Sequence, residues 1–446
     1  MSRRRTKIIA TIGPAQDAPG ALERLIDAGV DVLRLNLSHA SPREQAARAR
    51  RARAHKPDIA LLADLCGPKL RLGDLREELA IAGGDTVTLG EGGVPVGDPS
   101  LFARVRSGDP IYVADGTIAL EAKDVSRDRV TCRVRVGGTL RSRKGINLPF
   151  DTSSLPGLTE KDRADLAELD VLAADFVAVS YVRHERDLED VRKLTSLPLV
   201  AKIEKQQALE RLEAILAASD AVMVARGDLG VEVPIERVPA IQKRLIRAAN
   251  CAGRPIVTAT QMLMSMVTSP LPTRAEVTDV ANAVLDGTDA VMLSEETAVG
   301  RDPVAAVDMM TRLLLETEPL SAPPVTPPHA QQANALAAAA ARLAEDIDAA
   351  AIVAPTRTGE SARRLAAFRP RRPILAYSRV PATTRQLRLA WGVTPVDLSL
   401  PAGADTLSAT LEAARHDLGH GARVVVLDIA PPGARGVASV VNAITL

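Results

Sequence analysis

Lys202 and Glu204 stand two residues apart in the string LVAKIE (199–204), and Asp228 follows a second apolar run in AVMVARGDLG (221–230). Residues two apart on a strand share a face, so the first string delivers an ammonium and a carboxylate to one side of its C-terminal end. Two carboxylates from neighbouring strands suit one hard cation such as Mg2+, which takes one or two of them and leaves its other positions to substrate oxygens. The plainer reading is a Lys–Glu ion pair with a solvated aspartate. Gly227 and Gly230 flank Asp228, where backbone N–H groups can meet a carboxylate or phosphate. Thr260 ends the run IVTAT (256–260) with its hydroxyl at the same place, and Thr258 faces the same way one layer deeper. The string VLRLNLSH (32–39) alternates leucines with Arg34, Asn36 and Ser38, and an arginine on such a face suits phosphate or carboxylate, while His39 opens the following loop. Asp64 ends a further run and leads into LCGPKLR (65–71), whose Lys69 and Arg71 bring cations to a turn. Lys161 does so in LTEKD (158–162). His416 and His420, four apart on an expected helix, lack a third metal ligand.

The elements that must position these groups alternate between short β-branched runs and amphipathic stretches, the pattern of βα units on a parallel sheet. Expected strands cover 7–11, 32–36, 59–64, 176–179, 199–202, 221–225, 256–259 and 290–292. Eight such units favour a closed (β/α)8 TIM barrel, which leaves no sheet edge to protect and carries active sites at the C-terminal ends of its strands. Asp64 and the next helical pattern at 159–169 lie too far apart for a loop, and the period-two runs between them (111–114, 129–136) describe a small β-barrel inserted as a lid. Prolines 319, 323, 324, 327 and 328 mark a second boundary, beyond which a helix near 331–345 and strands at 350–354, 373–377 and 423–429 make an open α/β domain. The expected division is 1–71 with 151–318 for the barrel, 72–150 for the lid and 329–446 for the C-terminal domain.

Lys and Arg number 56 against 55 for Asp and Glu, so no bulk field argues for nucleic acid or an anionic membrane. Cys66, Cys132 and Cys251 lack zinc or disulfide spacing, which reads as a reducing compartment. The basic N-terminus is followed by an apolar run too short for a signal or spanning segment, and the expected location is cytoplasmic.

The strings TKIIATIGP (6–14), VLRLNLSH, AKIE, VARGDLG (224–230), ATQML (259–263), PTRAE (272–276) and DVANAV (279–284) together resemble the pyruvate kinase family, in the family's order and across essentially the whole chain. The resemblance implies phosphoryl transfer from phosphoenolpyruvate to ADP, giving pyruvate and ATP as the last step of glycolysis. It implies Mg2+ on Glu204 and Asp228, with Mn2+ able to replace it, and Lys202 stabilising the transition state. Arg34 would contact the transferred group; Ser180, Ala225, Gly227, Asp228 and Thr260 would complete the phosphoenolpyruvate or pyruvate site. His39, Arg71 and Lys161 map to nucleotide-phosphate contacts, and Asn36, Ser38, Asp64 and the carbonyl of Leu65 to a monovalent-cation site. Where members that require K+ have a threonine and a glutamate, this chain has Leu65 and Lys69, so Lys69 replaces the ion's charge and K+ is not expected to be required. Glu295, in SEET (294–297), also departs from the family pattern. A hydroxyl-rich turn, TRTGES (356–361), resembles the family's effector-phosphate loop, with Thr356, Thr358, Gly359 and Ser361 as contacts for a phosphorylated metabolite; a helix cap explains the same hydroxyls. A homotetramer is the implied assembly. The same carboxylate pair would serve a Mg-dependent pyruvate-enolate aldolase, which has no need of a lid bearing Arg71 and Lys161, whereas an inert binding protein would be expected to have lost Lys202 or a carboxylate.

Overall fold

The computed structural model describes residues 4–38, 40–98, 102, 104–114, 116–148, 156–321, 332–398, 405–429 and 439–446. Strands β1 (Lys7–Ile12), β2 (Val32–Asn36) and β3 (Ala60–Asp64) open the chain. Strands β4 (Leu70–Arg71), β5 (Leu79–Ile81), β6 (Thr86–Gly90), β7 (Pro110–Val113), β8 (Ile118–Val125), β9 (Arg129–Val136), β10 (Gly138–Leu140) and β11 (Gly145–Asn147) follow. The chain then returns through β12 (Phe176–Val179), β13 (Leu199–Ile203), β14 (Ala221–Ala225), β15 (Ile256–Ala259) and β16 (Ala290–Leu293). These last five close with the first three into a parallel barrel in the order β1-β16-β15-β14-β13-β12-β3-β2.

Side-chain alternation on these strands decides what the barrel mouth contains. Ile9, Val32, Ala60, Leu62, Ala178, Val200, Met223 and Val257 pack together inside the barrel, while Ile8, Leu33, Leu61, Ala201, Val222 and Val291 pack outward against the helices. With a period of two, the inward series continues upward from Val32 to Arg34 and Asn36, from Leu62 to Asp64, from Ala178 to Ser180, and from Val200 to Lys202 and Glu204. The polar residues therefore emerge on one rim because the apolar ones below them face the same way. Thr258 corrects the expectation of a shared face with Thr260. Val257 and Ala259 are the inward residues of β15, so Thr258 points outward, where its hydroxyl donates to Thr288 Oγ1 at 3.0 Å.

The inserted segment is an antiparallel curled sheet, β4-β11-β7-β8-β9-β6, with its own apolar core around Leu89, Ile111, Leu120 and Val134. The C-terminal sheet runs β19-β18-β17-β20-β21, from β17 (Ala351–Pro355), β18 (Ile374–Ser378), β19 (Val393–Asp397), β20 (Arg423–Asp428) and β21 (Val440–Thr445). Both edges, β19 and β21, went unread in the sequence; β19 carries Pro395, which an edge strand tolerates, and β21 is largely exposed and antiparallel. This domain closes the bottom of the barrel: Leu389 joins the inner apolar cluster, Arg369 pairs with Asp289 at 2.9 Å, and Arg385 with Asp175 at 2.7 Å. The helix Pro303–Thr317 ends in a tight turn that includes Pro319, whereas prolines 323, 324, 327 and 328 lie outside the described residues. No helix among the described residues is long and apolar enough to cross a membrane.

Candidate active site

The mouth is organised around Lys202, whose ammonium donates to Ser180 Oγ at 2.7 Å and Asp64 Oδ1 at 3.2 Å and lies 3.1 Å from Glu204 Oε1. Arg34 Nε reaches the other Asp64 oxygen at 2.6 Å, and its Nη1 donates to Thr11 Oγ1 at 3.1 Å. Burial acts to lower the Lys202 pKa, but the facing Asp64 and Glu204 carboxylates outweigh it and hold the pKa above the usual lysine value. Burial likewise works against the Asp64 charge, yet Lys202 and Arg34 keep its carboxyl below the usual range. The result is a fixed line of charges, Arg34, Asp64, Lys202 and Glu204, drawn from β2, β3 and the end of β13.

The two expected metal carboxylates have different surroundings. Glu204 is 1 % exposed, and burial pushes its carboxyl up against the pull of Lys202. Its Oε2 accepts the Tyr181 backbone N–H at 2.6 Å, while the buried Oε1 has only the ion pair with Lys202 at 3.1 Å. Asp228 sits in the first turn of the helix Arg226–Glu232, and Lys69 overcomes burial to hold its carboxyl below the usual range. Lys69 Nζ lies 2.7 Å from Asp228 Oδ1, and the Tyr181 hydroxyl donates to the same oxygen at 2.9 Å. Two carboxylates gathered by one tyrosine, Glu204 through its amide and Asp228 through its phenol, are a hard-oxygen donor set that fits a divalent cation. Among the described residues no group of three or more His, Cys, Asp or Glu forms a metal cluster, so the remaining ligands of such an ion would come from substrate and water. The helix of His416 ends at Leu418, so His420 does not share it.

The other expected residues are brought to the rim to different degrees. Thr260 Oγ1 accepts the Gly227 N–H at 2.8 Å, so in this state the amide read as an anion donor is already paired with the neighbouring hydroxyl. Thr260 and Gln261 both have positive φ, 70° and 55°, in the left-handed region that costs non-glycine residues free energy. Arg226 holds that turn: it donates to the carbonyls of Ala259 at 3.2 Å and Thr260 at 2.7 Å and pairs with Asp279 at 2.6 Å. Sequence reasoning assigned Arg226 no role, although it stands inside two of the quoted strings' shared neighbourhood, next to Gly227. Asn36 Oδ1 accepts the Ser38 N–H at 3.0 Å, and the Leu65 carbonyl accepts the Ser180 hydroxyl at 2.8 Å, so two oxygens of the expected cation site have internal donors. Lys161 lies in a helix begun by a capping box between Thr159 and Asp162, and its ammonium reaches the Leu37 carbonyl at 2.7 Å and Asp165 at 2.5 Å. Arg71 Nη1 donates to the Arg143 carbonyl in the lid at 3.2 Å. His39 is outside the described residues.

The lid stands over this rim. Glu232 accepts from Lys205 at 2.6 Å and from the lid's Asn147 at 3.4 Å, beside a cavity of about 610 Å3 lined by Tyr112, Asn147, Gln207 and Gly227 among others. In the C-terminal domain, Thr356 Oγ1 accepts the Gly359 N–H at 2.9 Å, Ser361 is buried and donates to the Pro355 carbonyl at 3.3 Å, and Thr358 is exposed. Glu360, the charge that would repel an anion there, is paired with Arg364 at 2.5 Å. Glu295 faces solvent, whereas its neighbour Glu296 is fully buried and accepts the N–H groups of Leu263 at 3.0 Å and Ser294 at 2.7 Å.

Comparison with known proteins agrees with this geometry. A family model described as pyruvate kinase, barrel domain, matches residues 3–307, and one described as pyruvate kinase, alpha/beta domain, matches residues 334–442. Pyruvate kinase 2 of Synechocystis is 43% identical over 93% of this chain and 74% of its own length. The pyruvate kinase of Methylorubrum extorquens is 40% identical over 98% of this chain and 97% of its own. That of Mycobacterium tuberculosis is 40% identical over 98% of both. Nothing in these matches favours an aldolase, and with the lid over the Lys202 rim and the C-terminal sheet at the other end of the barrel, the chain belongs to the pyruvate kinase family.

Proposed function

We propose that the chain is a phosphotransferase that moves the phosphoryl group of phosphoenolpyruvate to ADP, with Arg34 and Lys202 holding the moving group and Ser180, Ala225, Gly227, Asp228 and Thr260 completing the substrate site. The observation that carries this reading is the convergence of Arg34, Lys202, Glu204 and Asp228 on one barrel rim under a lid. Phosphoryl transfer needs preorganised positive charge around the migrating group, and Arg34 and Lys202 are fixed by Asp64 before substrate arrives. A divalent cation held by Glu204 and Asp228 would add positive charge against the substrate oxygens. Substrate would compete with Thr260 for the Gly227 amide, releasing the hydroxyl into the site. A hydroxyl of ordinary acidity is a poor proton donor, so water delivers the proton that completes pyruvate. Arg71 and Lys161, with His39, serve the nucleotide phosphates from the lid side. The working unit is a cytoplasmic homotetramer built from a barrel (1–71 and 151–318), a lid (72–150) and a C-terminal domain (329–446).

An assay with phosphoenolpyruvate and ADP, in which pyruvate is read through a coupled dehydrogenase, tests the reading directly. ADP-dependent release of pyruvate is expected; no turnover, or aldol cleavage in its place, would overturn it. Glu204→Gln should weaken the metal by at least the roughly tenfold that loss of an outer partner costs, and high Mg2+ should recover part of the lost rate. A defect indifferent to Mg2+ would mean that Glu204 is only the ion-pair partner of Lys202.

The 356–361 turn would take a phosphate at the N-terminus of the helix Glu360–Ala367, and a phosphorylated metabolite would activate the enzyme through it. Removing the hydroxyls in Thr358→Ala/Ser361→Ala should abolish activation by sugar phosphates, or raise the concentration needed by about tenfold or more, since one hydrogen bond to a charged group contributes roughly 1.5–3 kcal/mol. An unchanged activation curve would leave the turn as a helix cap.

A further inference from the structure

Tyr181 follows β12, is 7 % exposed, and adopts a left-handed backbone conformation with φ 56°. A tyrosine held there needs neighbours that define it, and they come from three sides. Gly67 lies flat against it: a Cβ on Gly67 would stand 2.9 Å from the ring's Cδ2 and 2.8 Å from Ser180 Cβ. The ammonium groups of Lys69 and Lys205 each stand 5.9 Å from the ring centroid. Its two polar ends go to two carboxylates, the backbone N–H to Glu204 Oε2 just past β13 at 2.6 Å and the phenol to Asp228 Oδ1 in the helix after β14 at 2.9 Å.

We infer that Tyr181 is a positioning residue for the carboxylate pair, fixing the spacing and aim of Glu204 and Asp228 through its amide and its phenol together. The oxygens it engages are Glu204 Oε2 and Asp228 Oδ1, which leaves Glu204 Oε1, now facing the Lys202 ammonium at 3.1 Å, and Asp228 Oδ2 to turn toward a divalent cation. Without the phenol, Asp228 keeps Lys69, but that side chain is long and flexible and defines the carboxylate's orientation less well than a packed ring. This inference rests on the reading of Glu204 and Asp228 as the metal pair.

Tyr181→Phe keeps the ring, the amide and the backbone and removes only the hydroxyl. Titration of the substrate-free protein with Mn2+, followed by the electron paramagnetic resonance of the free ion, should give a Kd about tenfold weaker than wild type. The Mn2+ concentration for half-maximal activity should rise in step, with kcat at saturating Mn2+ within about threefold of wild type. A merely packing role would alter Tm and leave the Mn2+ Kd unchanged, and an unchanged or tighter Kd would overturn the inference. Asp228→Asn separates the two claims: if it binds Mn2+ as wild type does, the metal-pair reading itself fails, whereas if it loses Mn2+ while Tyr181→Phe does not, only the role of Tyr181 fails.

Discussion

Lys202→Met is expected to slow phosphoryl transfer by a factor on the order of 10² to 10³ or more while the protein still binds Mn2+. Methionine fills much of the same space and removes the charge alone. Of the carboxylates that Lys202 faces, Asp64 retains Arg34 at 2.6 Å and Glu204 retains the Tyr181 amide at 2.6 Å, while Asp228 keeps Lys69 at 2.7 Å, so both metal carboxylates still have a partner after the substitution. Because the facing carboxylates hold the Lys202 pKa above the usual lysine value, its ammonium stays protonated through the working range and acts as fixed charge rather than as a proton donor. Its removal therefore takes away transition-state stabilisation in a low-dielectric site, where one preorganised charge matters most. Steady-state rates beside an Mn2+ titration and a thermal melt check this. Activity within tenfold of wild type would overturn the assignment, and loss of Mn2+ binding would show that Lys202 serves the metal instead.

The barrel was legible because its strands are buried on both faces and so read as β-branched runs; each of the eight expected ranges overlaps an observed strand, with ends differing by at most one residue. Alternation along those runs also placed Arg34 and Lys202 inward without any knowledge of partners. It failed at Thr258 because Thr260 lies beyond the strand, where positive φ breaks the period of two. Long-range pairing was not legible. Lys69 and Asp228 are 159 residues apart in sequence, and nothing local in either string points to the other. Tyr181 reads as one more apolar residue after a strand, and its role depends on a backbone conformation that sequence favours only for glycine. Its neighbour Gly67, in LCGPKLR, was the available signal: a glycine at a turn where a Cβ would strike the ring.

Wild-type protein assayed with a large organic counter-cation in place of K+ is expected to retain substantial activity. Lys69 holds a permanent ammonium 2.7 Å from Asp228, with side-chain exposures of only 10% and 21%, so positive charge is already present where the metal and phosphoryl groups meet. Like charges about 4 Å apart repel by about 4 kcal/mol at an effective dielectric near 20, so K+ would be bound poorly wherever it had to sit that close to the ammonium. The oxygens that would hold it are engaged as well, since the Leu65 carbonyl accepts Ser180 and Asn36 accepts the Ser38 amide. Leu65→Thr/Lys69→Glu reverses the argument. It removes the ammonium and restores the threonine and glutamate that accompany the monovalent-cation site in members requiring K+. The double variant should therefore be slow without K+ and recover by about tenfold or more when K+ is added at constant ionic strength, a partial gain because Asn36 and Leu65 were not arranged around an ion. If instead the wild-type rate itself rises by about a hundredfold on adding K+, then Lys69 does not take the ion's place and its ammonium serves only to hold Asp228.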